Sequence, residues 1–273
     1  MTDKKGKGNG NGKGNGKIQR QPLLGYFDIH ENTIEIGVDE AGRGPLFGRV
    51  YCAAVILPKN ETMFDFTKVK DSKKFTSKKK IEEVAQYIKE HALAWHVSFS
   101  DEKTIDKINI LQATQYAMHE AIREVRKSYN NKYINTINNN KIEGMDYQFH
   151  LLIDGNYFNP LTVVNTHKNQ IELLKHTTIP SGDNTYASIA SASILAKVER
   201  DNYIDEMCIQ YPLLSSYYGI DSNKGYGAKK HMDGIQEHGI TIWHRQSFAP
   251  CKNATQNVDI VNNINNINNI NNI

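Results

Sequence analysis

The sequence predicts an α/β fold with a smaller C-terminal part. Three observations carry that expectation: strand-like and helix-like segments alternate along the middle of the chain, short apolar runs end in turn-forming residues, and the stretch beyond about residue 210 reads as helical or irregular.

Taken in order, residues 33–39 and 48–57 (GRVYCAAVIL) read as strands joined by a glycine-rich turn. A helix follows from Ser77 to His91, a short strand from Ala94 to Ser98, and an amphipathic helix from Ile108 to Arg126. The Asn- and Lys-rich piece 129–142 is expected to be a loop, and FHLLID after it a buried strand. A long helix from Asn184 to Cys208 closes the sheet portion. The body is therefore expected to span residues 31–250, with about 210–250 as its C-terminal part, between a basic tail (1–30) and a low-complexity tail (251–273).

With 273 residues, 39% of them hydrophobic, the chain can bury a sizeable core. No apolar run approaches the roughly 20 residues of a membrane span, and no apolar core follows the N-terminal positive charges. The expectation is an intracellular, cytoplasmic protein without signal peptide, transmembrane segment or membrane partner. Cys52, Cys208 and Cys251 are odd in number and widely separated, which reads as reduced thiols and not a zinc knuckle.

The net charge of +3 is unevenly spread. Lys4, Lys5, Lys7, Lys13, Lys17 and Arg20 against Asp3 give the first 20 residues +5, which leaves −2 for the remainder. Bulk charge therefore does not draw the body to polyanions, and any nucleic-acid site has to be built locally. KKGKGNGNGKGNGK has almost no side chain able to enter a core and reads as a flexible tail, either idle or gathering nonspecific phosphate contacts. VNNINNINNINNI repeats every third residue, the period of neither helix nor strand, and reads as disordered.

Three carboxylate sites stand out. Asp39 and Glu40 are adjacent in GVDEAGRGPLFG, and neighbours in a regular strand face opposite ways, so both serve one centre only if the strand stops or twists there; Gly42, Gly44 and Pro45 supply a break. The plain alternative is a charged strand end entering a turn. Asp154 ends an apolar strand before Gly155 and Asn156, where ligand sites of α/β sheets collect, though aspartate also suits turns. Asp183 precedes the long helix and reads as an N-cap, a role compatible with holding a cation. Carboxylates from separate segments suit hard, oxygen-preferring ions such as Mg²⁺ or Mn²⁺. The chemistry such a pair of ions serves is phosphodiester hydrolysis. Asp201, some five helical turns beyond Asp183, cannot share that site and reads as paired with Arg200 or Lys197.

The motifs GVDEAGRGPLFGRVYCAAVIL, DSKKFT, INILQATQYAM, LLIDGN, SGD with ASILAKVERD, NKGYGAKKH and HRQSF resemble, in order, those of the ribonuclease HII family over roughly residues 34–250. The resemblance implies a ribonuclease H-like mixed β-sheet flanked by helices, with a small C-terminal helical extension. It implies that Asp39, Glu40, Asp154 and Asp183 are the catalytic, metal-binding acids, with Mg²⁺ or Mn²⁺ as cofactor. It also implies that Gly42, Arg43, Gly44 and Tyr226 read the ribonucleotide, because glycines let backbone approach a 2′-hydroxyl. Ser72, Lys73 and Lys74 are expected to hold phosphates, unless the lysines, continued by Lys78, Lys79 and Lys80, are only a solvated cluster. The implied activity is two-metal cleavage of the RNA strand of RNA/DNA hybrids and at ribonucleotides embedded in duplex DNA. Its expected ends are a 3′-hydroxyl and a 5′-phosphate, and its expected setting is ribonucleotide and RNA primer removal in DNA replication and repair. The expected state is a monomer with those duplexes as partners. The rival readings are a ribonuclease HIII-like nuclease and a hybrid-binding protein that does not cut.

Departures from the family pattern are Ser181 where a lysine is common, Ala228 where a threonine is usual, and Gln246 in place of the second arginine before SF; they bear on phosphate affinity and turnover. HKNQIELLKH is expected to be an added helical turn or loop, and His231 and His244 are expected to be structural.

Overall fold

The computed structural model describes residues 22–134, 147–165 and 170–257; the two tails, most of the Asn/Lys-rich loop and residues 166–169 lie outside the described residues. The central sheet is built from β1 (Thr33–Ala41), β2 (Val50–Ile56), β3 (Ala94–Ser100), β4 (Gln148–Asp154) and β7 (Lys175–Ile179), in the order β3-β2-β1-β4-β7. β1, β2 and β3 pair antiparallel, whereas β1, β4 and β7 run parallel, so the sheet is mixed.

Alternation along the strands sorts the core into two faces. Ile34, Ile36, Val38, Cys52, Ala54 and Ile56 pack against Ala117, Met118, Ala121, Ile122 and Val125 of α2 (Glu102–Tyr129). Tyr51, Ala53 and Val55 face the opposite side, against Ile81, Ala85 and Ile88 of α1 (Lys78–His91) and Ala192, Ile194, Leu195, Ala196 and Val198 of α3 (Ala187–Gln210). The small residues of α3 let it lie close to the strands: a Cβ on Gly37 would sit 2.2 Å from the Ser188 carbonyl carbon. α4 (Leu213–Tyr218), α5 (Ile220–Asn223) and α6 (Lys229–His238) form the C-terminal extension around Phe47, Leu214, Tyr218 and Ile235.

Several sequence expectations change. α2 begins at Glu102 under an Asp101 cap and breaks at Asn109 (φ 66°), whose side chain accepts from Gln112 N at 3.1 Å; the helix expected from Ile108 is its second part. HKNQIELLKH holds no helix among its described residues. It contains β6 (Gln170–Leu173), paired antiparallel with β5 (Thr162–Asn165), and the start of β7, because Leu174 faces the core while Ile171 and Leu173 face out. β1 does not stop at Asp39 but stays paired with β2 through Ala41, so the break falls after both acids.

The body also takes in residues that composition groups with the tails. Leu24 N donates to Thr185 O (2.8 Å) and Ala187 N to Leu24 O (2.9 Å), while the Glu35 carboxylate accepts from Phe27 N and Asp28 N. At the other end Cys251 is buried and Asn257 N donates to Ile240 O at 2.7 Å. The three cysteines are free and buried, and no helix among the described residues is long and apolar enough to cross a membrane.

Candidate active site

Strand register gathers the predicted acids. The last β1–β4 pair is Val38 with Ile153, so Asp39 and Asp154 follow it side by side at the carboxyl ends of parallel strands. Asp154 in turn pairs with Ile179 of β7, and the chain needs only four more residues to reach Asp183. Asp39, Glu40, Asp154, Gly42, Arg43, Gly44, Ser72, Lys73 and Tyr226 line one cleft, and Asp183 joins it through Lys73, whose Nζ lies 3.9 Å from its carboxylate.

The fourth acid does not cap the helix. Asp183 sits in a 3-10 turn, Gly182–Asn184, and the cap position of α3 falls to Tyr186, which makes no side-chain capping bond. Its carboxylate accepts instead from Asn184 Nδ2 at 3.1 Å. That turn is tied to the second acid, since Gly182 N donates to Asp154 Oδ1 at 2.7 Å.

Burial dominates the electrostatics, and the neighbouring charges add to it. Burial pushes the Asp39 carboxyl well above the usual carboxylate range, and Glu40 and Asp154 add to it; Ser193 and the Glu40 N–H oppose. Burial also raises Glu40, with the Arg43 guanidinium at 3.2 Å pulling the other way and Asp154 pushing up. Asp183 is raised by burial and by Asp154 and Asp71, against Lys73. Lys73 reports the same field from the opposite sign: partial burial lowers it, but Asp183, Asp71, Asp39 and Asp154 together hold it above its usual value.

The basic motif splits. Lys73 is exposed at the cleft and Lys74 bonds Asn184 Oδ1 and lies 3.7 Å from Asp71. Ser72, expected to offer a hydroxyl to phosphate, is 4% exposed and shares a 3.0 Å hydrogen bond with Ser193 of α3. Asp201 is paired with Lys197 at 2.8 Å, with Arg200 3.9 Å away, as its helical spacing suggests, but it also lines the cleft of Asp39, Glu40 and Asp154, which distance along the helix from Asp183 does not exclude.

The glycine-rich loop follows from two packing demands. Gly42 has φ +93°, and a Cβ there would meet Arg200 Nε at 2.2 Å, so no other residue fits without displacing a buried arginine. Tyr226, half exposed, stands across from Gly44, where a Cβ would be 3.4 Å from its ring. Its carbonyl accepts from His231 Nδ1 at 2.9 Å, which fixes that tautomer; His231 Nε2 then accepts from His244 Nε2 at 3.0 Å, and His244 Nδ1 accepts from Thr241 N. Both histidines are buried and structural. Two departures also find a place: Ala228 is the cap residue of α6 with no side-chain bond, and Gln246 uses its backbone N–H on Asp106.

The sequence alone assigns no place in the site to Ser193, Asp71, Arg200 or Arg245. The Ala/Ser-rich face of α3 reads as packing, and only the position of Ser193 opposite Asp39 gives it a polar task. Among the described residues no group of three or more His, Cys, Asp or Glu side chains stands arranged to hold a metal ion. Each acid is instead held by its own partner: Asp39 by Glu40 N, Glu40 by Arg43, Asp154 by Gly182 N, Asp183 by Asn184. Carboxylates brought this near one another gain from a cation among them.

Residues 36–251 match the family model described as Ribonuclease HII. A protein of Parabacteroides distasonis described as Ribonuclease HII is 41% identical over 226 residues, 83% of this chain and 94% of its own. Among solved structures, the ribonuclease H2 of Pyrococcus horikoshii superposes with TM-score 0.56 at 19% identity, over 80% of this chain and 95% of that one. Bst-RNase HIII in complex with Mn²⁺ gives 0.55 at 15% identity, over 86% of this chain and 70% of that one.

Proposed function

The chain belongs to the ribonuclease HII family, and from that membership we propose that it is an endonuclease for RNA joined to DNA, hydrolysing the RNA strand of hybrids and cutting at ribonucleotides embedded in duplex DNA. The observation that carries this reading is the meeting, in one cleft, of carboxylates from β1 and β4 with the Gly42–Gly44 loop and Tyr226. A non-cutting hybrid binder would gain nothing from buried like charges beside phosphates, which cost stability unless they do chemistry.

Asp39, Glu40, Asp154 and Asp183 are the residues that would hold Mg²⁺ or Mn²⁺: their donors are all oxygen, and their carboxyls are crowded enough to favour a cation. When bound, a pair of such ions activates water and stabilises the leaving oxygen of a phosphodiester, giving 3′-hydroxyl and 5′-phosphate ends. Lys73 and Lys74 take backbone phosphates, Lys73 from the cleft itself. Ser72 serves Asp39 at one remove, through Ser193. The backbone of Gly42, Arg43 and Gly44 approaches the 2′-hydroxyl, and the exposed Tyr226 ring offers a face for stacking on the sugar and base that follow. In the cell this activity would serve ribonucleotide and RNA primer removal.

The test is a duplex DNA carrying one ribonucleotide, incubated with Mg²⁺ or Mn²⁺, then with EDTA, beside an Asp39→Asn variant. A metal-dependent cut at the ribonucleotide, lost in the variant, is the expected result. Absence of that cut in the parent overturns the reading, and an active variant removes Asp39 from the site.

A further inference from the structure

Arg245 has the environment of a core residue and the chemistry of a clamp. It is fully buried, in the segment after α6, and among the described residues no carboxylate forms an ion pair with it. Its guanidinium donates to three carbonyls of one loop: Nη2 to Gly42 O at 2.6 Å, Nη1 to Arg43 O at 2.9 Å, and Nε to Gly48 O at 2.8 Å. Burial, with Arg200 nearby, lowers its pKa to about 9, which leaves it cationic at neutral pH. Burying a cation is costly, so three charge-assisted bonds to a single loop indicate that the loop's geometry is what the cation secures.

The backbone consequence follows from peptide planarity. In a trans peptide the carbonyl of one residue and the N–H of the next point in opposite directions, and no cis peptide is present among the described residues. Drawing Gly42 O and Arg43 O toward Arg245 therefore turns the N–H groups of Arg43 and Gly44 away from it, toward the cleft. Among the described residues neither N–H has a backbone acceptor. Successive free N–H groups of this kind form a cradle for an oxygen. The same segment ties down the loop's far end, with Arg245 N donating to Leu46 O at 2.8 Å and Gly48 N to Trp243 O at 2.9 Å. Leu46 N donates in turn to Gly225 O, the residue before Tyr226, at 2.8 Å.

We propose that Arg245 is a positioning residue for ribose discrimination: it aims the N–H groups of Arg43 and Gly44 at the 2′-hydroxyl without touching substrate itself. This rests on the reading of the cleft as a ribonucleotide site. The C-terminal extension thereby contributes to selectivity through one buried side chain, about 200 residues away in sequence from the loop it holds. Lysine cannot replace it, because an ammonium lacks the planar fork that reaches three acceptors at once.

The experiment compares the parent with Arg245→Lys on two quantities in Mg²⁺: kcat/KM for a duplex with one ribonucleotide, and the inhibition constant of the same duplex made wholly of DNA. The expected result is a fall of about 10- to 100-fold in kcat/KM, the scale of a misaligned contact, with the all-DNA constant unchanged. A purely structural role would move both together or neither, and either outcome overturns the inference. A parent that fails to cut the ribonucleotide duplex overturns the functional reading and the inference with it. Should Arg245→Lys not fold, Asp106→Ala serves instead. Asp106 accepts from Gln246 N, Ser247 N and Ser247 Oγ, and so fixes the backbone beside Arg245 from a half-buried position. A lowered kcat/KM with an unchanged all-DNA constant supports the proposal, and two unchanged constants overturn it.

Discussion

Gly182 donates its N–H to the Asp154 carboxylate at 2.7 Å, so the turn that carries one acid of the cleft is fastened to another. A methyl group on Gly182 would fall 2.6 Å from Ile189 Cδ1 and 3.4 Å from Asp154 Oδ1. Ile189 is fully buried and has little room to retreat. Gly182→Ala is expected to cost about 1–3 kcal/mol of stability, the usual penalty of overpacking, and to lower kcat by shifting Asp154. Thermal unfolding and single-turnover cleavage check the two effects separately, and a variant unchanged in both would show that the turn yields freely.

Ser193 reaches the same centre from the helix side. Its hydroxyl lowers the Asp39 carboxyl, against the upward push of burial, Glu40 and Asp154. Ser193→Ala removes that contribution, so the Asp39 pKa rises further. Because the ionised form is the one that can hold a cation, the acid limb of the rate profile should move to higher pH, with activity recovered at the alkaline end. A uniform loss at every pH would instead mark Ser193 as packing alone.

Ala228 precedes α6 in an extended conformation and leaves the first turn without a side-chain acceptor. Ala228→Thr supplies one. A cap of this kind contributes about 1 kcal/mol, or roughly 2–4 °C in a protein of this size. Differential scanning calorimetry reads the gain directly, and an unchanged midpoint would mean that the hydroxyl turns elsewhere.

His231 and His244 predict a pH dependence of stability. Burial lowers both, and for His244 the neighbouring His231 adds to it. Each is neutral in the fold but takes up a proton when unfolded below the ordinary value of 6.5. The unfolded chain then binds more protons, so stability is full above that pH and declines as pH falls below it, by up to about 1.4 kcal/mol per pH unit for each group. Urea midpoints between pH 7.5 and 5.5 should fall more steeply for the parent than for His244→Asn. Equal slopes would remove the pair as the cause.

The acids were legible in the sequence because their signal is local. Asp39, Glu40 and Asp154 stand where an apolar run meets glycine, and Asp183 follows Gly182 just ahead of a long helix. Arg245 carries no such mark, since its three acceptors lie some 200 residues away and sequence spacing says nothing about them. Ser193 was hidden by its neighbours: a small polar residue in an Ala/Ser face reads as packing until a strand places a carboxylate opposite. The pairing of β5 with β6 is not legible in the sequence, because Ile171, Leu173 and Leu174 fit a helical turn as well as a strand, and only pairing with Thr162–Asn165 decides between them. Asp183 reads as a cap because residues before a helix usually cap it, whereas a 3-10 turn intervenes here.

The anchoring of Leu24 between Thr185 and Ala187 has a practical side. Pro22 and Leu23 lie in a surface hollow with Asp71, Lys74 and Asn184, whose amide contacts Asp183. A fusion partner joined directly to Pro22, in place of residues 1–21, would thus leave the fold near the rim of the cleft. A chain immobilised at Pro22 in that way would turn the cleft toward the support.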